Sequence, residues 1–235
     1  MTEDNAPFSG DAVARYDGWY HTPWGGYADV RQRDLLLAMA RPATGERMLD
    51  VGCGTGRYLS WLLGVGLDAF GAEPSSDMLV ASAARLAVEG IEEGRLIGAE
   101  AEALPFADGA FDLVMAVTVI EFVDDERGAI AEMARVCRGR LFIGALNAAS
   151  RYGRQLAAGE TGETLSHARL HTVEELVELV RDAARPASLT WRTCLLGPKM
   201  DSAAELEAQK RLDALPGSTR LPWGAYIGVL ADLRR

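Results

Sequence analysis

Residues 49 to 57, Leu-Asp-Val-Gly-Cys-Gly-Thr-Gly-Arg, constrain this chain more than any other stretch. An apolar strand carrying Asp50 runs straight into Gly52, Gly54 and Gly56, and apolar spacing resumes at Leu59, Leu62 and Leu63. Glycine has no Cβ, so the backbone can turn sharply and lie against a ligand. Strand, glycine turn and helix together form a nucleotide crevice at the carboxyl edge of a parallel sheet. A dinucleotide fingerprint needs its third glycine one residue later, where Arg57 stands. A triphosphate loop needs a Gly-Lys-Ser/Thr ending, which is absent. The turn therefore suits a nucleoside without a diphosphate. By itself this stretch leaves a plain glycine-rich loop open.

Two further signals lie downstream. The strand 67–73 ends in Glu73, about 20 residues after the turn, where a carboxylate can take both ribose hydroxyls. A solvated carboxylate is the plainer alternative. Pro74-Ser75-Ser76-Asp77-Met78 then opens a helix that Ser75 or Ser76 can cap. Met78 is placed either against an adenine face or in ordinary core packing. The stretch Gly98-Ala-Glu-Ala-Glu-Ala-Leu-Pro-Phe106 follows, then Asp108-Gly109 and the strand Phe111 to Val117.

In order and at this spacing, these motifs resemble the class I S-adenosylmethionine-dependent methyltransferases. Within that class they look like the type 11 small-molecule branch that includes the quinone-biosynthesis C-methyltransferases. The resemblance runs from about Tyr16 to the end of the chain. It implies a doubly wound, seven-stranded, mostly parallel Rossmann-like α/β sheet with an antiparallel last strand. It also implies S-adenosylmethionine as cofactor and assigns roles to residues. Gly52, Cys53 and Gly54 would contact its methionine part. Asp50 would hold the turn and approach the ammonium. Glu73, with Pro74 beside it, would bind the ribose. Glu100 stands where Asp is usual and would accept from the adenine amino group. Ala101 would donate its backbone N–H to the ring, and Val117 would offer its carbonyl near the ammonium. Tyr16, from the Tyr-Asp pair before the first core helix, would reach the cofactor carboxylate.

The periodicity predicts helices over 26–41, 57–65, 76–89, 125–137, 173–183 and 201–214. It predicts strands over 47–51, 68–73, 94–98, 111–117, 140–146, 188–196 and 224–231. Alternation of this kind argues for a parallel sheet covered on both faces. Thr172-x-x-Glu175 is a capping box. The 235 residues fit one domain. Two segments stand outside the alternation. Residues 1–27 form an arm or lid that carries Phe8, Tyr16, Trp19, Tyr20, Trp24 and Tyr27 in a chain only 7% aromatic. Residues 147–171, with Asn147, Tyr152, His167 and His171, form an insertion expected to shape an acceptor pocket. The helix 201–214 is a candidate third wall.

Methyl transfer from a sulfonium is an in-line displacement, so the protein must chiefly align the nucleophile and exclude water. The expected acceptor is a small molecule. A base is needed only for some acceptors, and the candidates are His21, first because its intrinsic pKa suits the task, then Glu121, His167 and His171. Glu121 follows the fourth strand at the carboxyl edge. The alternative is a non-catalytic cofactor-binding regulatory partner of another protein, since no base stands out. A nicotinamide oxidoreductase is a third reading, against which the glycine spacing argues.

The formal charge of −10 opposes binding to nucleic acid and to anionic membrane surfaces. The Asn/Asp-Pro-Pro-Tyr motif of nucleic-acid-base methylators is also missing, since the chain reads Thr118-Val-Ile-Glu121 there. The most apolar run, Phe111 to Val123, is interrupted by Asp112 and Glu121 and is too short for a bilayer. Cys53, Cys137 and Cys194 are odd in number and form neither a Cys-x-x-Cys pair nor an obvious metal cluster. With the acidic opening Met1-Thr-Glu-Asp-Asn5, they lead to the expectation of a cytoplasmic protein without a structural metal. A homodimer is the oligomer left open.

Overall fold

The computed structural model describes residues 8–91, 94–159, 168–197, 202–215 and 217–234. The elements run α1 (Asp11–Trp19), α2 (Pro23–Ala40), β1 (Arg47–Val51), α3 (Arg57–Gly64), β2 (Asp68–Glu73), α4 (Ser76–Val88), β3 (Leu96–Gly98) and β4 (Phe111–Val117). After a short 3-10 turn at Ile120–Phe122 come α5 (Glu126–Val136), β5 (Cys137–Leu146), α6 (Arg151–Ala157), α7 (Val173–Ala184), β6 (Ser188–Cys194), α8 (Ala203–Asp213) and β7 (Tyr226–Asp232).

The strands form one sheet in the order β3-β2-β1-β4-β5-β7-β6. The first five are parallel, and β7 runs antiparallel to both β5 and β6. The doubly wound α/β class and the antiparallel last strand agree with the sequence reading. The chain reverses its direction of strand addition between β1 and β4. At such a point the loops splay apart and leave a crevice over the carboxyl ends.

Alternate residues of each strand enter different cores, as a period of two requires. Leu49 and Val51 join Val114, Ala116, Leu141 and Ile143 against α5 and α7. Met48 joins Leu113, Met115 and Phe142 against α2 and α3. Asp50 is two residues from Met48 and so shares that second face, at the end of β1. Farther along the same side, Trp24, Ala28 and Leu35 of α2 pack on Leu146 and Tyr226.

Helix ends follow their local chemistry. Thr22 accepts from the Gly25 N–H and Pro23 fills the first turn, so α2 starts three residues earlier than expected. Ser75 caps α4. Thr172 and Glu175 complete the capping box of α7. β5 begins at Cys137, three residues earlier than expected, and takes the one residue expected to end the preceding helix. Two helices, α1 and α6, lie in the arm and the insertion, where none was predicted. His167 lies outside the described residues, as does the 201 end of the expected 201–214 helix.

Candidate active site

Four loops meet over the crevice, following β1, β2, β4 and β5. In the first, Gly52, Gly54 and Gly56 have φ of 67°, 53° and 75°. That left-handed backbone costs other residues about 1–2 kcal/mol each. Space also demands glycine there. A Cβ on Gly52 would come within 2.5 Å of Val119, and one on Gly56 would collide with Ser82. The turn is tied to β2 by Gly52 and Cys53 N–H bonds to the Ala72 carbonyl, at 2.8 and 3.1 Å.

Glu73 closes the arrangement. Its Oε2 accepts from the Gly54 N–H and its Oε1 from the Ser75 N–H, each at 2.9 Å. Each oxygen keeps a second lone pair for another donor. Burial raises its pKa, and the two N–H bonds oppose that shift. Asp50 is 2% exposed, and its Oδ2 has no hydrogen-bond partner. Burial raises its pKa well above the ordinary range, and Glu73 adds to the effect. Two buried carboxylates with an unmet oxygen form a seat for a cationic group with hydrogen-bond donors. These features fit the ammonium and ribose of the implied cofactor.

The arm lies across this seat. Tyr16 Oη would stand 3.7 Å from a Cβ on Gly54, and it shares a 2.8 Å hydrogen bond with Tyr20 Oη. Loss of solvent raises the pKa of both phenols, that of Tyr20 to about 12. Asp17 fastens α1 to the crevice rim: its oxygens accept from Thr55 Oγ1 at 2.6 Å and from Arg85 at 2.7 Å. The Arg57 guanidinium sits 4.0 Å from the Tyr20 ring centre.

The β4 end carries backbone strain. Thr118 has φ of 56°, a conformation costly for a β-branched residue. The turn it starts puts Glu121 indoors at 2% exposure. Glu121 Oε1 accepts the Leu146 N–H at 2.6 Å, while Oε2 has no partner. Burial pushes its pKa up to about 7 against the pull of that N–H.

The remaining predicted residues divide. Cys53, Met78 and Ala101 are buried at the rim, Val117 is half-buried at the end of β4, and Pro74 and Glu100 are exposed beside Glu73. His21, the first candidate base, is exposed in the turn between α1 and α2. His171 is buried against Glu126, its Nε2 3.2 Å from the carboxylate. Asn147 is a staple, donating to the Pro222 and Gly224 carbonyls at 2.8 Å each. Arg169 pairs with Glu126 at 2.9 Å.

Outside the crevice, a cleft of about 440 Å³ is lined by Arg33, Arg57, Trp61 and Arg85. Its guanidiniums are already paired with Asp29 and Asp17. Among the described residues no three His, Cys, Asp or Glu side chains are grouped to hold a metal ion, and no helix is long and apolar enough to cross a membrane.

Sequence reading missed Tyr226. It is fully buried with an unpartnered hydroxyl, and its Oη occupies the space that a Cβ on Gly144 would need. The available signal was glycine inside two predicted strands, Gly144 and Gly228, which marks close approach by a neighbour.

Residues 49–143 match a family described as "Methyltransferase domain". Methyltransferase GfsG of Streptomyces halstedii is 35% identical over 120 residues, 49% of this chain and 43% of that protein. The chain thus spans less than half the length of that curated relative. A Thermotoga maritima structure described as a possible histamine N-methyltransferase superposes with a TM-score of 0.70 at 22% identity, covering 94% of this chain and 96% of the other. The geranyl diphosphate C-methyltransferase of Streptomyces coelicolor, solved with S-adenosyl-L-homocysteine, gives 0.59 at 17% identity, covering 87% and 77%. The fold is the Rossmann-like α/β fold of these methyltransferase structures, and the family match lies on the segment that builds the crevice.

Proposed function

We propose that this chain, which has the class I methyltransferase fold, transfers a methyl group from S-adenosylmethionine to a small-molecule acceptor. The observation that carries the reading is Asp50: a buried carboxylate with one oxygen unmet, at the foot of a turn with three positive-φ glycines. The bound cofactor supplies an electrophilic methyl group on a sulfonium. Asp50 takes the ammonium, and the second lone pairs of Glu73 take the ribose hydroxyls. Glu100 and the Ala101 N–H address the adenine, with Met78 beneath it. The Gly52, Cys53 and Gly54 backbone and the Val117 carbonyl line the methionine part, and Tyr16 reaches its carboxylate. Aromatic faces of the arm attract the sulfonium by about 0.5–2 kcal/mol.

The arm (residues 1–27) acts as the lid and the 147–171 segment shapes the acceptor side of one domain. The lid's task is exclusion of water and alignment of the nucleophile behind the methyl group. A small-molecule acceptor is supported by the crevice, by the net charge of −10, and by neighbours whose descriptions name histamine and geranyl diphosphate. The same reading puts the chain in the cytoplasm.

The test is transfer of label from tritiated S-adenosylmethionine into a metabolite extract, with S-adenosylhomocysteine binding measured alongside. Labelled product is expected. Tight binding with no product in any extract would favour the regulatory partner instead.

A further inference from the structure

Three buried oxygens near the carboxyl ends of the central strands have no partner: Asp50 Oδ2, Glu121 Oε2 and Tyr226 Oη. The cofactor reading uses Asp50 and leaves the other two unexplained. An unmet buried polar group costs about 1–3 kcal/mol, and the fold holds both in place rather than relieving them. Glu121 is anchored through Oε1 to the Leu146 N–H. Leu146 is also the register partner of Tyr226 across β5 and β7. Gly144 leaves room for the phenol hydroxyl, and it pairs on its other side with Val117 at the end of β4. The strained Thr118 follows at once. The Phe8 ring meets Phe122 edge-on with centres 5.0 Å apart, so the arm roofs the residue next to Glu121.

The groups that act most strongly on these atoms are acidic. Glu121, Asp50, Tyr20 and Cys194 act on the Tyr226 phenol, and none is basic. Glu126 acts on Glu121 and is itself paired with Arg169 and His171. The missing complement is therefore a hydrogen-bond donor.

We propose that Glu121 and Tyr226 together seat an amine nitrogen of the methyl acceptor. This rests on the methyl-transfer reading and narrows it to an acceptor class. The carboxylate oxygen and the phenol oxygen each accept one N–H, which leaves the lone pair aimed along the crevice. The nitrogen gives that pair to the methyl carbon, the sulfur keeps the electrons of the bond that breaks, and the nitrogen's proton passes to Glu121 Oε2.

Calorimetry on the full chain tests this, first with S-adenosylhomocysteine and then, on the loaded protein, with methylamine, benzylamine and 2-phenylethylamine and their matching alcohols. At least one amine should bind, with its alcohol at least tenfold weaker. Glu121→Gln should weaken that amine at least tenfold, and Tyr226→Phe about threefold to tenfold. Gln keeps an oxygen for the Leu146 N–H and Phe keeps the ring, and circular dichroism with a cooperative urea transition verifies folding. No binding of S-adenosylhomocysteine would sink the methyl-transfer reading and the amine seat with it. S-adenosylhomocysteine binding without any amine binding, equal binding of amine and alcohol, or unchanged amine affinity in both variants would overturn the amine seat alone.

Discussion

Single atoms decide much of this crevice. Gly52→Ala places a Cβ both at φ 67° and 2.5 Å from Val119. A loss of about 2–4 kcal/mol is expected from left-handed strain plus overpacking. Val119→Ala in the same chain should restore the packing part only, which urea unfolding of the single and double variants would measure. Tyr226→Phe has the opposite sign. It removes a buried hydroxyl with no partner, so the unliganded protein should gain about 1–2 kcal/mol while amine binding weakens. Equal stability of the two forms would mean that the hydroxyl is satisfied. Glu73, Asp50 and the glycines were legible because their chemistry is local: a strand end and a tight turn. Tyr226 was not, because its role depends on Gly144, 82 positions earlier, which only the β5–β7 register brings beside it.

At the level of elements, the arm is the segment most dependent on its surroundings. α1 follows Gly10, which gives it no side-chain cap, and holds its place through Asp17 on Thr55 and Arg85. Gly10 N–H also donates to Asp77 at 2.8 Å, and Ser75 Oγ donates to the Phe8 carbonyl at the same distance. Asp17→Asn should speed amide exchange across residues 11–19 while leaving β1 and β4 unchanged, at a cost of about 0.5–1.5 kcal/mol for a partly exposed charged bond. Exchange rising equally over the whole sheet would contradict a locally latched arm. Such a helix is hidden in sequence because its stability is tertiary. α6 is hidden for a related reason: Gly153 breaks its pattern, yet a side chain there would strike the Asn147 carbonyl. The start of α2 was readable in Thr22-Pro23, and Gly25-Gly26 masked it. Gly25 is required because a Cβ would meet the Trp19 carbonyl.

Across the whole molecule, the buried acids set the response to pH. Glu121 rises from 4.5 to about 7 in the fold, mainly by burial. The groups facing it are Glu126 from α5, with Arg169 and His171 behind, Tyr226 from β7, and the Leu146 N–H from β5. A raised carboxyl contributes stability that is complete below its unfolded pKa and is lost as pH climbs through the folded value. Glu121→Gln removes that titration. Its stability relative to the parent should therefore rise by about 3 kcal/mol between pH 4.5 and 8, as read by urea unfolding across pH. A constant difference would mean that the carboxyl is not desolvated. The fold class was legible as alternation and strand-end signals, which many residues repeat. The pooling of acids over β1, β4 and β5 was not, because it arises only when distant loops converge. The most direct measurement of the account's centre is calorimetric binding of S-adenosylhomocysteine to the parent chain and to Glu73→Ala. One molecule should bind the parent, and the variant should bind about 10- to 100-fold more weakly, as loss of charged hydrogen bonds worth about 1.5–3 kcal/mol requires. No binding to the parent, or equal affinity in the variant, would contradict a crevice built to hold an adenosyl sulfonium.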